Sequence, residues 1–178
     1  MRRTLALLAL AALGLGLLVL VRAPARVPRP DRVHGARVLR VRRAAVRAIE
    51  LSVRDRRLGA RRTPGGWDVD GRPASAGLAA ALDDLVASLA ALRAVDAFRP
   101  RDRATYGLEP GRGTIVVTTR TRVVRLVLGH MNATGSAVYA RRSGDPRVFQ
   151  LGAGLLGTLD GVFYRRDVSR RGGDPVPP

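Results

Sequence analysis

Thr114-Ile115-Val116-Val117-Thr118-Thr119-Arg120-Thr121-Arg122-Val123-Val124-Arg125-Leu126-Val127-Leu128 decides the fold class of this chain. Two runs rich in β-branched residues, Thr114 to Arg120 and Val123 to Leu128, flank a connection too short for anything but a hairpin. The turn lacks the Asn-Gly or Asp-Gly pair that most often closes such hairpins. Downstream, Ala137 to Arg141 and Val148 to Leu151 form a second antiparallel pair across Ser143-Gly144-Asp145-Pro146. Upstream, Ile49, Leu51 and Val53 alternate with Glu50 and Ser52, the period of a half-buried strand. Leu58 to Arg62 reads as its return. Thr63-Pro64-Gly65-Gly66 is a turn, and Trp67 and Val69 open a short third strand ended by Asp70-Gly71.

One segment has a different period. From Ala76 to Leu92, Leu78, Leu82, Leu85, Leu89 and Leu92 step by four and three, which predicts an amphipathic helix with Ser75 as N-cap. Asp83 and Asp84 fall on its wet side. Two heptads favour packing on the chain's own sheet over a coiled-coil seam. Arg101 to Tyr106 reads as a short helical turn, Gly129 to Gly135 as a loop, and Ala153 to Leu159 as a short C-terminal helix. Antiparallel strands with segregated helices imply α+β architecture, and no glycine-rich phosphate loop follows a strand.

The amino terminus carries a location signal. Thr4 to Val21 is an uninterrupted apolar run behind Met1-Arg2-Arg3. Its length, about 27 Å as a helix, suffices to cross a hydrocarbon core. An uncleaved transmembrane anchor is the leading reading, because the run exceeds an ordinary signal-peptide core and Arg22 sits at its exit. Cleavage at Ala23-Pro24-Ala25 is the competing reading, and a buried soluble helix the third. The chain then divides into an anchor (1–22), a basic Pro-rich tether (23–45), one α+β domain (46–168) and a disordered tail (169–178). Val38, Leu39 and Val41 begin a first strand or belong to the tether.

Arginines beyond the run would, by the positive-inside rule, keep the domain in the cytoplasm. Long domains translocate largely regardless of charge, and this favours a single-pass inner-membrane protein with its domain in the periplasm.

Charge narrows the function classes. The chain has 32 Lys plus Arg, all of them Arg, against 14 acids, a net +18 with pI about 11.9, and no cysteine. Residues 22–62 hold fourteen arginines against three acids, a net +11, so the excess lies beside the apolar run and suits anionic headgroups. That placement makes a nucleic-acid or anionic-polymer binder the second reading rather than the first. Without cysteine there is neither a disulfide framework nor a thiolate site.

Candidate sites are few. Arg120, Arg122, Arg125, Arg141, Arg142 and Arg147 are expected on one side of the sheet, a basic face for an acidic partner, headgroup or polymer. That face lacks the aromatics of a single-strand binding platform. Tyr106, Gly107, Leu108 and Pro110 read as a structural turn, with Gly107 at positive φ and Leu108 in the core. Trp67, the only tryptophan, reads as a core cap with its N–H satisfied. His130, Ser136 and Asp145 are only loosely grouped, which makes a hydrolase the least favoured reading. Nothing around His130 or His34 has metal-ligand spacing. No catalytic, cofactor or metal residues are assigned.

The order of these pieces resembles the domain-of-unknown-function 4340 (DUF4340) family of bacterial membrane-associated proteins. The resemblance is carried by Gly66-Trp67-Asp68-Val69, the leucine-striped helix and Tyr106-Gly107-Leu108-Glu109-Pro110. It continues through Leu126-Val127-Leu128-Gly129, Val138-Tyr139-Ala140-Arg141, Val148-Phe149 and Arg166-Asp167, spanning about 48–167. It implies an N-terminal membrane segment, a setting beside ABC-type transport components of gliding-type systems, and no catalytic residues. This chain departs from the family pattern in showing one unit where many relatives repeat it. The expected function is therefore a non-enzymatic, membrane-anchored extracytoplasmic interaction domain, accessory to an envelope or transport assembly.

Overall fold

A computed structural model describes residues 33–172 of the chain. The run Thr4 to Val21 and residues 173–178 lie outside the described residues, and among those described no helix is long and apolar enough to cross a membrane.

The strands are β1 (Val46–Val53), β2 (Arg56–Thr63), β3 (Gly66–Val69), β4 (Arg72–Pro73), β5 (Asp96–Phe98), β6 (Gly113–Thr119), β7 (Val123–Met131), β8 (Ala137–Arg142) and β9 (Val148–Gly152). They form one sheet of order β4-β3-β2-β1-β6-β7-β8-β9-β5, with every neighbouring pair antiparallel. The deciding hairpin forms as expected, with Ile115 opposite Leu126 and Val117 opposite Val124. β7 extends to Met131, into the segment expected as a loop, and its register with β8 shifts between Leu128 and Met131.

Helix α1 (Ala76–Ala91) follows β4 at one end of the sheet and leads to β5 at the other. Ser75 caps it, its hydroxyl accepting the Leu78 N–H at 3.4 Å. Its buried stripe is Leu78, Leu82, Leu85, Val86 and Leu89. These side chains share one core with Ile49, Leu51, Leu58, Ile115, Val117, Leu126, Leu128, Phe149 and Leu151 from the strands. Period-two alternation puts the apolar half of each strand on this face, so the helices need only one side of the sheet. The architecture is two-layered α+β.

Helix α2 (Gly154–Arg170) is longer than the Ala153–Leu159 helix expected. Gly157 and Gly161 weaken local propensity, but Leu155, Leu159, Val162, Phe163 and Arg166 hold a continuous buried stripe. Packing overrides propensity here. The helix also takes in Ser169 and Arg170 from the expected tail, and the Ser169 and Ser75 hydroxyls are 2.6 Å apart.

The tether expectation needs correction over residues 33–45. Val38, Leu39 and Val41 are buried. Val33 N–H donates to Ala97 O at 2.9 Å, Gly35 N–H to Ala94 O at 2.9 Å, and Val38 N–H to Leu92 O at 3.1 Å. Arginines around Val38-Leu39 lower the segment's hydropathy, yet these two residues have a core to enter. The segment lies along residues 92–97, where Val33 bonds Ala97 on the outer edge of β5 and the other bonds go to Leu92 and Ala94 just before it. At the opposite end, β4 is two residues long and contains Pro73, another way to blunt an edge.

Candidate interaction surface

Arg142 and Arg147 do not present free charge. Both converge on Asp145, with Arg142 Nη2 at 2.6 Å and Arg147 Nη2 at 2.8 Å from Oδ2, and Arg147 Nε at 2.9 Å from Oδ1. Arg142 also donates to Val38 O at 2.8 Å, which pins the N-terminal segment to the sheet. The Arg147 guanidinium lies over the Phe149 ring. Arg122 is held similarly by the carbonyl of Arg40. Arg120 is exposed in the β6–β7 turn, whereas Arg125 and Arg141 lie on the sheet face away from the helices. The six arginines therefore do not share one side of the sheet. Strand alternation separates Arg141 from Arg142, contacts distant in sequence occupy Arg122 and Arg142, and the nearby Asp145 occupies Arg147.

Asp145 is 4 % exposed at its side chain. Its hydrogen bonds from the Arg147 side chain, aided by the Arg147 N–H and both guanidinium charges, lower its pKa from 3.8 to about 2 despite burial. A carboxylate depressed on folding stabilises the fold above its unfolded pKa and loses that contribution as pH falls through the folded one. We expect stability to drop by roughly 2 kcal/mol between about pH 4 and pH 2 from this group alone. Urea titrations of Asp145→Asn should show lower stability at neutral pH and a flatter decline in that window. An unchanged acid decline would mean that Asp145 does not carry it.

The Tyr106–Gly111 loop covers the far half of the outer face. Gly107, at φ +65°, follows the helical turn Ala104–Tyr106 and donates its N–H to Ala104 O at 2.8 Å. Leu108, 1 % exposed, forms a second cluster with Phe98 and Val148, joined by Tyr106, Val127 and Tyr139. The Tyr106 ring meets Phe98 and Tyr139 edge-on at 5.4 and 4.7 Å. Pro110 precedes Gly111, where a Cβ would lie 2.2 Å from Val127 Cγ1. A Cβ on Gly107 would lie 2.1 Å from the His130 ring, and one on Gly129 2.1 Å from Tyr106 O. At Gly129 the loop backbone itself closes on β7, whereas at Gly107 and Gly111 the space for a Cβ is taken by the His130 and Val127 side chains.

Trp67 is buried, and its Nε1–H donates to Asp83 Oδ1 at 3.0 Å. The same carboxylate takes Arg62, whose guanidinium lies over the indole. Asp83, expected on the wet side of the helix, is thus half-buried and joins α1 to β2 and β3.

Among the described residues nothing covers the near half of the outer face. Registers place Arg57 beside Ser52 and Thr114, Gly59 beside Glu50 and Val116, and Arg61 beside Ala48 and Thr118. Arg125 stands next to Val116. Arg57, Arg61, Arg125 and Glu50 are exposed, and among the described residues none of them forms an ion pair. Two hollows of about 360 and 400 Å³ adjoin here, sharing Glu50, Gly59 and Asp70. Asp68 Oδ1, by the first of them, is buried without a hydrogen-bond partner among the described residues. Sequence reading missed Arg57, Arg61 and Glu50 as a group. The signal was present in their alternation with Leu58, Ala60, Ile49 and Leu51. Among the described residues no group of three or more His, Cys, Asp or Glu could hold a metal ion.

A family model described as a domain of unknown function, DUF4340, matches residues 67–160, just over half of the chain. No curated protein matches the chain, and no solved structure does.

Proposed function

The chain belongs to the DUF4340 family, and from that premise we propose that it is a non-enzymatic, membrane-anchored interaction domain. It would be held in the inner membrane by Thr4 to Val21, with its domain in the periplasm, as an accessory part of an envelope or ABC-type transport assembly. The observation that carries this reading is the half of the outer sheet face that no described residue covers, where Glu50, Arg57, Arg61 and Arg125 have no ion-pair partner among the described residues and stand over a floor of small residues. Sheet edges that are occupied by residues 33–38 or shortened at β4 direct a partner to that face rather than to strand addition. The apolar run and the net +11 over residues 22–62 support attachment to a membrane with anionic headgroups.

Fractionation tests the anchoring. We expect the full chain to remain with membranes after alkaline extraction, to yield an N-terminal peptide containing Thr4 to Val21 intact by mass spectrometry, and to be digested by protease added to spheroplasts. A mature chain beginning at Arg26, or a domain protected until the membrane is opened, would contradict it. Retention on DNA at physiological salt would instead favour the anionic-polymer reading, because non-specific phosphate contacts weaken steeply with salt.

A further inference from the structure

We infer that the uncovered outer face binds an extended polypeptide segment carrying acid, base and acid at alternate positions, an inference that rests on the interaction-domain reading above. Arg57 and Arg61 lie on β2 on either side of Gly59, and Glu50 is directly beside Gly59 on β1. Along the strand direction the charges therefore run positive, negative, positive in steps of two residues. Arg57 and Arg61 are four residues apart, about 13 Å in a strand. An extended segment sends side chains i, i+2 and i+4 to one side with that same repeat. Acids at i and i+4 would meet Arg57 and Arg61, and a base at i+2 would meet Glu50.

The floor suits such an occupant. Gly59 has no side chain, and a Cβ built there would have only Asp70 Oδ1 nearby, at 3.8 Å. The Gly59 N–H already donates to that Asp70 oxygen at 3.0 Å. The hollow thus has two carboxylates at its centre, Glu50 and Asp70, the second paired with Arg170 at 2.8 Å, and the guanidinium groups of Arg57 and Arg61 at its rim. Arg125, in the Glu50 row and three strands from β2, about 14 Å, adds a further positive flank. Glu50, which has no ion pair among the described residues, opposes a uniformly anionic occupant at the centre, which disfavours a headgroup layer or a phosphate backbone lying flat on this face. Among the described residues, the large exposed apolar side chains are Val33, Val95, Val123, Met131 and Tyr164. Only Val123 borders the patch, next to Thr118. Charge pattern, rather than apolar area, is what this face offers.

The test uses the full chain in neutral detergent and two labelled synthetic peptides read by fluorescence anisotropy. One peptide carries Glu, Lys and Glu at alternate positions, and the other carries Lys, Glu and Lys. The native chain should prefer the first by about tenfold at low ionic strength, as expected for a few exposed charge pairs exchanged for repulsions. The triple variant Arg57→Glu, Glu50→Lys, Arg61→Glu should reverse the preference while keeping an unchanged thermal transition. Equal binding of both peptides by the native chain would overturn the proposal. So would displacement of the first peptide from this face by single-stranded DNA or phosphatidylglycerol vesicles as readily as by unlabelled peptide. Either result would leave the interaction-domain reading to its own cross-linking test, described below.

Discussion

Leu85→Ala is expected to lower the unfolding free energy by about 2–5 kcal/mol, the range for truncating an enclosed leucine. Leu85 has no exposed surface and sits at the centre of the α1 stripe, in one core with Ile115, Val117, Leu126 and Leu128. The core is close-packed between a helix pair and a nine-stranded sheet, so a cavity there has little freedom to collapse. Equilibrium urea unfolding measures the effect. A change below about 1 kcal/mol would mean that α1 packs on the sheet less closely than its contacts require.

The second large effect is expected at the junction of the Tyr106–Gly111 loop and β7. Gly129→Ala places a methyl group 2.1 Å from the carbonyl oxygen of Tyr106. Backbone must move to admit it, and a loss of about 3 kcal/mol follows from overpacking of this kind. Gly107→Ala combines two costs: a left-handed backbone at φ +65° and a Cβ 2.1 Å from the His130 ring. These costs are separable. His130→Ala in the Gly107→Ala background should recover the steric part and leave the backbone part, about 1–2 kcal/mol. No recovery in that double variant would show that the ring contact is not what requires glycine.

The hairpin β6–β7 and helix α1 were legible in the sequence because each repeats one period over many residues. Period two over Ile115, Val117, Leu126 and Leu128, and steps of four and three from Leu78 to Leu89, leave no competing assignment. The Ser75 cap was legible for a local reason, a hydroxyl three residues before a free N–H. Other features depended on contacts that a linear reading does not contain. Val38 and Leu39 sit among arginines, and their burial becomes evident only with the neighbouring segment 92–97 and the carbonyl that receives Arg142. The length of α2 was hidden by Gly157 and Gly161, because local propensity points one way and the Leu159–Phe163 stripe the other.

The candidate surface was least legible. Six arginines drew attention by number, but Asp145 and the carbonyls of Val38 and Arg40 occupy three of them. Glu50, Arg57 and Arg61 belong together only once β1 and β2 are paired with Glu50 opposite Gly59. Strand alternation announces which residues face outward; it does not announce which of them become neighbours.

Site-specific photo-cross-linking in intact membranes tests the central claim most directly. A photoreactive side chain replaces Ser52, between Arg57 and Thr114 on the uncovered face, or Ala80, exposed on the outer side of α1. The account predicts a discrete protein adduct from position 52, its loss when Arg57 and Arg61 are both changed to Glu, and no such adduct from position 80. An adduct from position 80 alone, or one from position 52 that survives the charge reversal, would contradict it.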